Sequence, residues 1–192
     1  MRVFIAATLD KKIQDNIRDF QTKMKLETVR YKRQINWIFP DECHITLAFI
    51  GEVPDDDIPN ICDVVDTVVA KAAPFRIKAE GVRAFGRTPR VIWAAIKDGA
   101  EPLGELHTKL TEALEPAGFY KEKLRFSPHI TLARITDPKA GKYMKDIAVT
   151  LNSYPFGVMA LRSIDLYKSV LGKYGAIYTH LAQFPFGSRF EE

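Results

Sequence analysis

The chain has 192 residues, 46% of them apolar and 27% charged, which is ordinary for a globular protein and suits one domain or two tightly joined lobes. Its two cysteines, Cys43 and Cys62, are too few for a disulfide framework and lack metal-site spacing, and no signal peptide or membrane-spanning segment is visible. These features predict a cytoplasmic protein with reduced thiols.

The formal net charge of +4 is unevenly distributed along the chain. Residues 118–175 contain ten Lys or Arg and four acidic residues, so the rest of the chain is slightly acidic. A basic half favours a polyanionic partner such as RNA, and a merely solvated basic surface is the alternative.

The first half of the chain predicts alternating strands and helices. Residues 3–10 have strand character, and a helix follows in which apolar residues recur at helical spacing. A second strand begins after Pro40, a second helix opens with Pro59, and another strand starts at Pro74. The apolar stripes of the two helices are Ile13, Ile17, Phe20 and Met24, and then Ile61, Cys62, Val65, Val68 and Val69.

The second half repeats this order. Residues 91–98 resemble the opening strand, and a helix with a leucine stripe follows. After a further strand, a helix opens at Asp137 and Pro138, and strands start at Pro155 and Ala176. The leucine stripe consists of Leu103, Leu106, Leu110 and Leu114.

The predicted order is β-α-β-α-β-β-α-β-α-β-β, with no linker long or polar enough to separate two domains. Hairpin-like turns at residues 85–91 and 167–176 favour an α+β fold with antiparallel sheets. We therefore expect a single bilobal domain over residues 1–192, with an internal duplication of roughly 1–90 and 91–184. The two pseudo-symmetric lobes would face a central cleft with their sheets and carry their helices outside.

The clearest repeat is the tetrapeptide His-Ile-Thr-Leu, which begins at His44 and recurs 85 residues later at His129. Residues two apart in a strand project from the same face, so His44 shares a face with Thr46, and His129 with Thr131. Each copy thus aims one imidazole and one hydroxyl at the same side. We predict that the two histidines face each other across the cleft as a paired acid–base site.

These motifs and their surroundings resemble the two-histidine phosphoesterases, which carry two His-x-Thr-x motifs. Within that group the chain is most similar to the prokaryotic RNA 2′,3′-cyclic phosphodiesterases, also called the 2′-5′ RNA ligase family. The resemblance spans almost the whole chain. The segments that carry it are 2–6 (RVFIA), 44–53 (HITLAFIGEV), 85–93 (FGRTPRVIW), 126–134 (FSPHITLAR) and 166–172 (LYKSVLG).

The resemblance implies a hydrolase that uses no metal or other cofactor and opens a 2′,3′-cyclic phosphate at an RNA 3′ end to leave a 2′-phosphate. It implies that His44 donates a proton to the departing ribose O3′ and that His129 is the base that activates water. Thr46 and Thr131 would hold the non-bridging phosphate oxygens. Because histidine titrates near about 6.5, one neutral and one protonated ring can coexist near neutral pH.

Phe49 and Arg134 each lie five residues after a motif histidine. Strict alternation along a strand would turn both away from the catalytic face, giving core packing for Phe49 and a surface salt bridge for Arg134. A strand end or a bulge could re-aim them, and the ring and the guanidinium could then sandwich the terminal nucleobase. The sequence leaves both alternatives open.

Four cations lie on the two corresponding loops and could bind upstream phosphates, with solvated loop charge as the alternative for each. They are Arg87, Arg90, Lys168 and Lys173. Tyr167 lies beside one of these loops and could contribute a hydroxyl or pack as an aromatic ring. His107 and His180 have no partner motif and are expected to be structural or surface residues, and Cys43 should point away from the catalytic face.

Three functions remain open on sequence grounds. The first is a cyclic phosphodiesterase whose partners are RNA 3′ ends or nucleotides bearing a 2′,3′-cyclic phosphate. The second is a reversible 2′-5′ RNA ligase or 2′-5′ phosphodiesterase that uses the same histidines, although the excess of water favours hydrolysis. The third is a nucleotide-binding or RNA-binding module without turnover. No membrane association is expected, and a monomer is expected because the duplication already supplies a twofold.

Overall fold

The computed structural model describes residues 1–120, 125–172 and 175–187. Within these ranges the chain forms nine strands and four α-helices. The helices are α1 (Lys11–Glu27), α2 (Ile58–Val69), α3 (Ala100–Leu114) and α4 (Pro138–Thr150). The strands are β1 (Arg2–Thr8), β2 (Ile35–Trp37), β3 (His44–Glu52), β4 (Phe75–Ala84), β5 (Val91–Asp98), β6 (His129–Ile135), β7 (Pro155–Leu161), β8 (Ser163–Gly172) and β9 (Gly175–Pro185).

The strands pair in the order β7-β4-β5-β6-β3-β1-β8-β9, with the short β2 against β6. Every pairing is antiparallel, which confirms the predicted α+β class with antiparallel sheets. The order divides into two groups of four strands that meet at the central neighbours β6 and β3. These two strands are joined at a single residue pair, Ile45 with Ile130.

Capping residues and apolar spacing explain where the helices form. The Asp10 carboxylate accepts a hydrogen bond from the Ile13 amide at 2.9 Å and so begins α1, and Asp137 accepts two at the start of α4. Pro138 follows Asp137 at the first helical position, where a proline costs no hydrogen bond. The predicted stripes of α1 and α3 are buried along their whole length.

The helical stripes pack against the apolar face of the curled sheet and form one continuous core. Burial of each large aliphatic side chain contributes about 1.5–3 kcal/mol, so these rows are the main source of stability. No helix in the described ranges is long and apolar enough to cross a lipid bilayer.

Three details differ from the prediction. The chain has the additional strand β2, which is too short to show a sequence period. The strand predicted from Pro155 is two strands, because the chain passes through Arg162 alone from the edge strand β7 to β8, which lies between β1 and β9. The predicted turn at 167–176 is much shorter, since β8 runs to Gly172 and pairs with β9 as far as Gly175.

Candidate active site

The central strands bring the two His-Ile-Thr-Leu motifs together. His44 opens β3 and His129 opens β6, and the residues that follow them, Ile45 and Ile130, are directly paired. In the antiparallel register around this pair, His44 lies beside Thr131 and His129 lies beside Thr46. The two isoleucines are fully buried on the opposite face, so the four polar side chains share the open face.

Both imidazoles are held in the same orientation by backbone carbonyls. Nδ1 of His44 lies 2.7 Å from the carbonyl oxygen of Glu42, and Nδ1 of His129 lies 2.7 Å from that of Ser127. A carbonyl oxygen only accepts, so each Nδ1 carries a proton and donates it. Each ring therefore keeps Nε2 for the cleft, where it accepts a proton when neutral and donates one when charged.

His44 lies in an aromatic environment that changes its acidity. Its ring centroid is 5.0 Å from that of Phe4 and 5.3 Å from that of Tyr178. Burial lowers the pKa of His44, and the positive charges of His129 and Arg134 lower it further, whereas the bond to the Glu42 carbonyl opposes the shift. When this imidazole is protonated, it is therefore a stronger acid than an exposed histidine.

Two other aromatic rings surround His129. Phe85 stacks on Trp93 with centroids 4.6 Å apart, and both rings meet His129 edge-on at 5.4 and 5.5 Å. The indole nitrogen of Trp93 is buried and has no hydrogen-bond partner among the described residues. Each catalytic candidate thus has its own aromatic frame, contributed by a different half of the sheet.

A bulge in each motif strand re-aims the following residues. Thr46 is opposite Ala6 and Ala48 is opposite the next residue, Ile5, so Leu47 is the extra residue in β3. The same irregularity occurs in β6, where Leu132 is the extra residue. In both strands two consecutive residues are buried, Leu47-Ala48 and Leu132-Ala133, and the residue after each pair is exposed.

Because of these bulges, Phe49 and Arg134 lie on the cleft face rather than the core face. The Phe49 ring is 48% exposed and lies 5.9 Å from the Phe4 ring, which itself contacts His44. Arg134 is exposed, makes no ion pair with any described carboxylate, and is close enough for its charge to lower the pKa of Tyr178 against a larger rise caused by burial. Strict alternation fails at both positions.

A polar cluster beside His44 was not identified from the sequence. Thr8 donates to the Asp165 carboxylate at 2.6 Å, and its oxygen lies 2.7 Å from the Tyr167 hydroxyl. Since the Thr8 proton is used on Asp165, the Tyr167 hydroxyl is the donor in the second bond. His180 completes the cluster at 2.9 Å from Asp165, whose carboxylate is almost fully buried.

Thr8 and Tyr167 of this cluster, together with His44 and its aromatic frame, line a cavity of about 110 Å³. Burial raises the pKa of Tyr167 and of Tyr178, so both phenols stay protonated at neutral pH. With its proton donated to Thr8, the Tyr167 hydroxyl presents lone pairs to a ligand. A charged residue inside the apolar strand Ile164-Asp165-Leu166 is the signal that could have identified the cluster.

The remaining candidates lie away from the two motif histidines or at their margin. His107 donates from Nδ1 to the Leu47 carbonyl at 2.7 Å, and this hydrogen bond joins α3 to β3. The His107 ring also stacks on Phe126. Cys43 is buried, and burial raises the pKa of its thiol to about 12. Arg87 and Arg90 are exposed on the loop between β4 and β5, Lys168 is half-buried on β8, and Lys173 lies outside the described residues.

Within the described ranges, no three His, Cys, Asp or Glu side chains are gathered in a way that could hold a metal ion.

Comparison with known proteins gives consistent matches. The family model described as the 2′-5′ RNA ligase superfamily matches residues 16–171. The RNA 2′,3′-cyclic phosphodiesterase of Archaeoglobus fulgidus is 31% identical, with 96% of this chain and 99% of that protein covered. The protein of the same name from Methanothermobacter thermautotrophicus is 27% identical, with 96% and 98% covered.

Solved structures agree with these matches. A crystal structure of a protein from Thermus thermophilus is 28% identical, covers 98% of this chain and 100% of its own, and has a TM-score of 0.79. E. coli LigT complexed with 3′-AMP has the same fold at 21% identity, with a TM-score of 0.74 and coverage of 96% and 97%.

The fold and the paired motif strands are those of the two-histidine phosphoesterases, which confirms the resemblance found in the sequence. With most of its length matched by the family model, the chain belongs to the 2′-5′ RNA ligase superfamily.

Proposed function

We propose that the protein hydrolyses a terminal RNA 2′,3′-cyclic phosphate to a 2′-phosphate by acid–base catalysis with two histidines and without a metal. One observation carries the proposal: His44 and His129 open adjacent central strands and share one tautomer with Nε2 left for the cleft. The name shared by the matched relatives supports the substrate class.

The reaction then needs one proton transfer on each side of the phosphorus. Nε2 of His129 accepts a proton from water, and the water oxygen forms a bond to phosphorus. The bond between phosphorus and O3′ breaks, and protonated Nε2 of His44 gives its proton to O3′. Positioned groups of this kind contribute on the order of 10²–10⁴-fold to the rate.

The surroundings of His44 support its role as the proton donor. Its lowered pKa makes the imidazolium a stronger acid, which favours transfer to a developing alkoxide. The negative charge of a bound phosphate would raise the pKa of His44 again, so the ring would become protonated when the substrate binds. Thr46 and Thr131 lie on the same face and would donate to the non-bridging oxygens as charge develops.

Substrate contacts are assigned to the residues around this centre. Phe49 and Arg134, exposed on the two bulged strands, would stack on either side of the terminal base. Tyr167 would accept a hydrogen bond from the bound nucleotide, and Arg90 would neutralise a phosphate. Base stacking contributes about 1–3 kcal/mol per base, so Phe49→Ala and Arg134→Ala should each raise KM by roughly 5- to 150-fold.

The test of the mechanism is turnover of a 2′,3′-cyclic nucleotide with excess chelator present. Wild type should release only a 2′-phosphate, and His44→Ala and His129→Ala should each lose about 10²–10⁴-fold in kcat. His107→Gln, which changes a histidine on α3, is the control and should keep its activity. Loss of activity with chelator, a 3′-phosphate product, or normal turnover in either alanine variant would contradict the mechanism.

We further propose that the chain acts as one bilobal unit, derived from a duplication of residues 1–90 and 91–184, and works as a monomer in the cytoplasm. The strand order, with four strands on each side of the β6–β3 joint, supports the duplication. The two free thiols support a reducing compartment. Light scattering of the purified protein tests the monomer.

A further inference from the structure

We propose that the cleft between the β4–β5 loop and helix α4 is a binding site for the RNA backbone upstream of the reacting nucleotide. The proposal deepens the function above and rests on it. It concerns residues that the two-histidine chemistry does not use, and it makes an RNA strand, rather than a mononucleotide, the substrate that the protein fits best.

The cleft has the chemical character of an anion site. It has a volume of about 460 Å³ and is open to solvent. Four cations line it, Arg87, Lys139, Lys142 and Lys145, and Asp146 is the single carboxylate in the lining. Long basic side chains around a hollow provide the charge that neutralises phosphates.

These four cations are not neutralised by the protein itself. Elsewhere in the described ranges, Lys11, Arg18, Lys78 and Lys97 each lie against a carboxylate in an ion pair. No described carboxylate forms such a pair with the side chain of a cleft cation, and the one hydrogen bond that these four side chains make to described residues is from Lys145 Nζ to the Gly86 carbonyl at 3.5 Å. Unpaired like charges repel one another, and a bound polyanion removes that repulsion.

The loop that forms one wall of the cleft also reaches the catalytic centre. Phe85, at the start of the loop, lies 5.4 Å from the His129 ring. Two residues of extended chain span at most about 7 Å, so the backbone of Arg87 lies within about 7 Å of that of Phe85. Successive phosphates of a stacked strand advance about 3.4 Å along the helix axis, so an RNA strand with its 3′ end at His129 would reach the loop within a few nucleotides.

The position of the cleft is fixed by close backbone packing. Gly141 on α4 lies directly against the carbonyl group of Pro89, so close that a side chain at 141 would collide with that oxygen. The Ile135 amide donates to the Arg90 carbonyl at 2.8 Å and secures the end of the loop. The backbone of α4, which carries three of the cations, is therefore held against the β4–β5 loop.

The test compares two substrates in two charge-matched variants. Lys139→Gln/Lys142→Gln/Lys145→Gln removes three charges from the cleft, and glutamine is about as good a helix former as lysine. The control removes three unpaired, exposed lysines from other elements: Lys12→Gln/Lys71→Gln/Lys109→Gln. The substrates are a 2′,3′-cyclic mononucleotide and an RNA of about ten nucleotides that ends in a 2′,3′-cyclic phosphate.

We expect the cleft variant to raise KM for the RNA at least about tenfold at low salt, with kcat/KM for the mononucleotide unchanged. Loss of three phosphate contacts lowers the slope of log K against log salt by about 2. Between about 50 and about 200 mM salt, the affinity of the wild type for the RNA should therefore fall about 20-fold more than that of the variant. The control should behave as wild type on both substrates. Equal effects of the two variants on the RNA, or none, would overturn the proposal.

Binding of the product RNA, with a 2′-phosphate end, separates this inference from the catalytic one. The affinity of the protein for this product, measured by fluorescence anisotropy, tests the cleft even if the protein turns over no substrate. Absence of turnover would refute only the catalytic function. Poly-aspartate and vesicles with phosphatidylserine are the competing anions. If either binds the cleft more tightly than the RNA, the site belongs to an acidic protein or a lipid surface and the proposal is wrong.

Discussion

Adding one methyl group at each of two helical glycines should have different effects on stability. Gly104 and Gly141 both lie inside helices, α3 and α4, where alanine is favoured over glycine by about 0.8–1.0 kcal/mol. A Cβ at Gly104 would meet nothing within 4 Å, whereas a Cβ at Gly141 would collide with the Pro89 carbonyl oxygen. Overpacking of this kind costs about 1–3 kcal/mol, and a carbonyl cannot swing away as a side chain can.

Gly104→Ala should therefore stabilise the protein by up to about 1 kcal/mol, and Gly141→Ala should leave it unchanged or destabilise it by as much as about 2 kcal/mol. For a chain of this size each kcal/mol moves Tm by about 2–4 °C. Calorimetry measures the difference between the two variants. Activity gives a second measurement, because only the Gly141 substitution displaces the loop that carries Phe85 to His129. Equal rises in Tm would refute the close contact between α4 and the loop.

Three further outcomes are expected. In an NMR titration, His44 should have a pKa below about 6.5, and this pKa should rise when a 2′-nucleotide is bound. Because the unfolded chain binds this proton at a higher pH than the folded one, the free energy of unfolding should fall as the pH drops below about 6.5. His44→Gln should make that fall smaller. Alkylation at neutral pH should be slow at both thiols, and slower at the buried Cys43, whose pKa is about 12, than at the more accessible Cys62. Fast modification of Cys43 would contradict its burial. Tyr167→Phe should lower Tm by about 2–4 °C through loss of one hydrogen bond worth about 1 kcal/mol, whereas Tyr178→Phe, whose hydroxyl bonds to no described residue, should change it less.

The predictions that succeeded rest on local and strongly repeated signals. The helical stripes that end at Met24 and Leu114 are buried as their spacing requires. The two His-Ile-Thr-Leu segments both form strands, β3 and β6, as their alternation of apolar and polar residues predicts. In each case a few neighbouring residues carry the information.

The register of the two motif strands and the bulge in each were harder to predict than the strands themselves. The sequence match pairs Ala7 with Ala95, but the structure places Thr8 opposite His44 and Ala95 opposite His129. Each bulge has a sequence signal, two adjacent apolar residues in an alternating strand, at Leu47-Ala48 and again at Leu132-Ala133. That signal becomes meaningful only when the partner strand is known.

The charged residue Asp165 stands out in its apolar strand, but its partners in the polar cluster could not be predicted because they come from distant parts of the sequence. Thr8 and Asp165 are separated by 157 residues, and they meet only because β1 and β8 are neighbours in the sheet. The aromatic frames of the two histidines have the same origin, since Phe4, Tyr178 and Trp93 come from three different strands. Tertiary pairing, rather than local pattern, creates these groups.

The backbone carbonyls that orient the two imidazoles bear on which histidine would act as the acid and which as the base. Because Glu42 and Ser127 bond their histidines at the same nitrogen, the rings are chemically interchangeable, and nothing in either motif decides which one gives and which one takes. In the proposed mechanism, the difference between the two roles would come from the neighbours of each ring. Exchanging the neighbours of the two rings, with both motifs left intact, should therefore make His129 the proton donor and His44 the base.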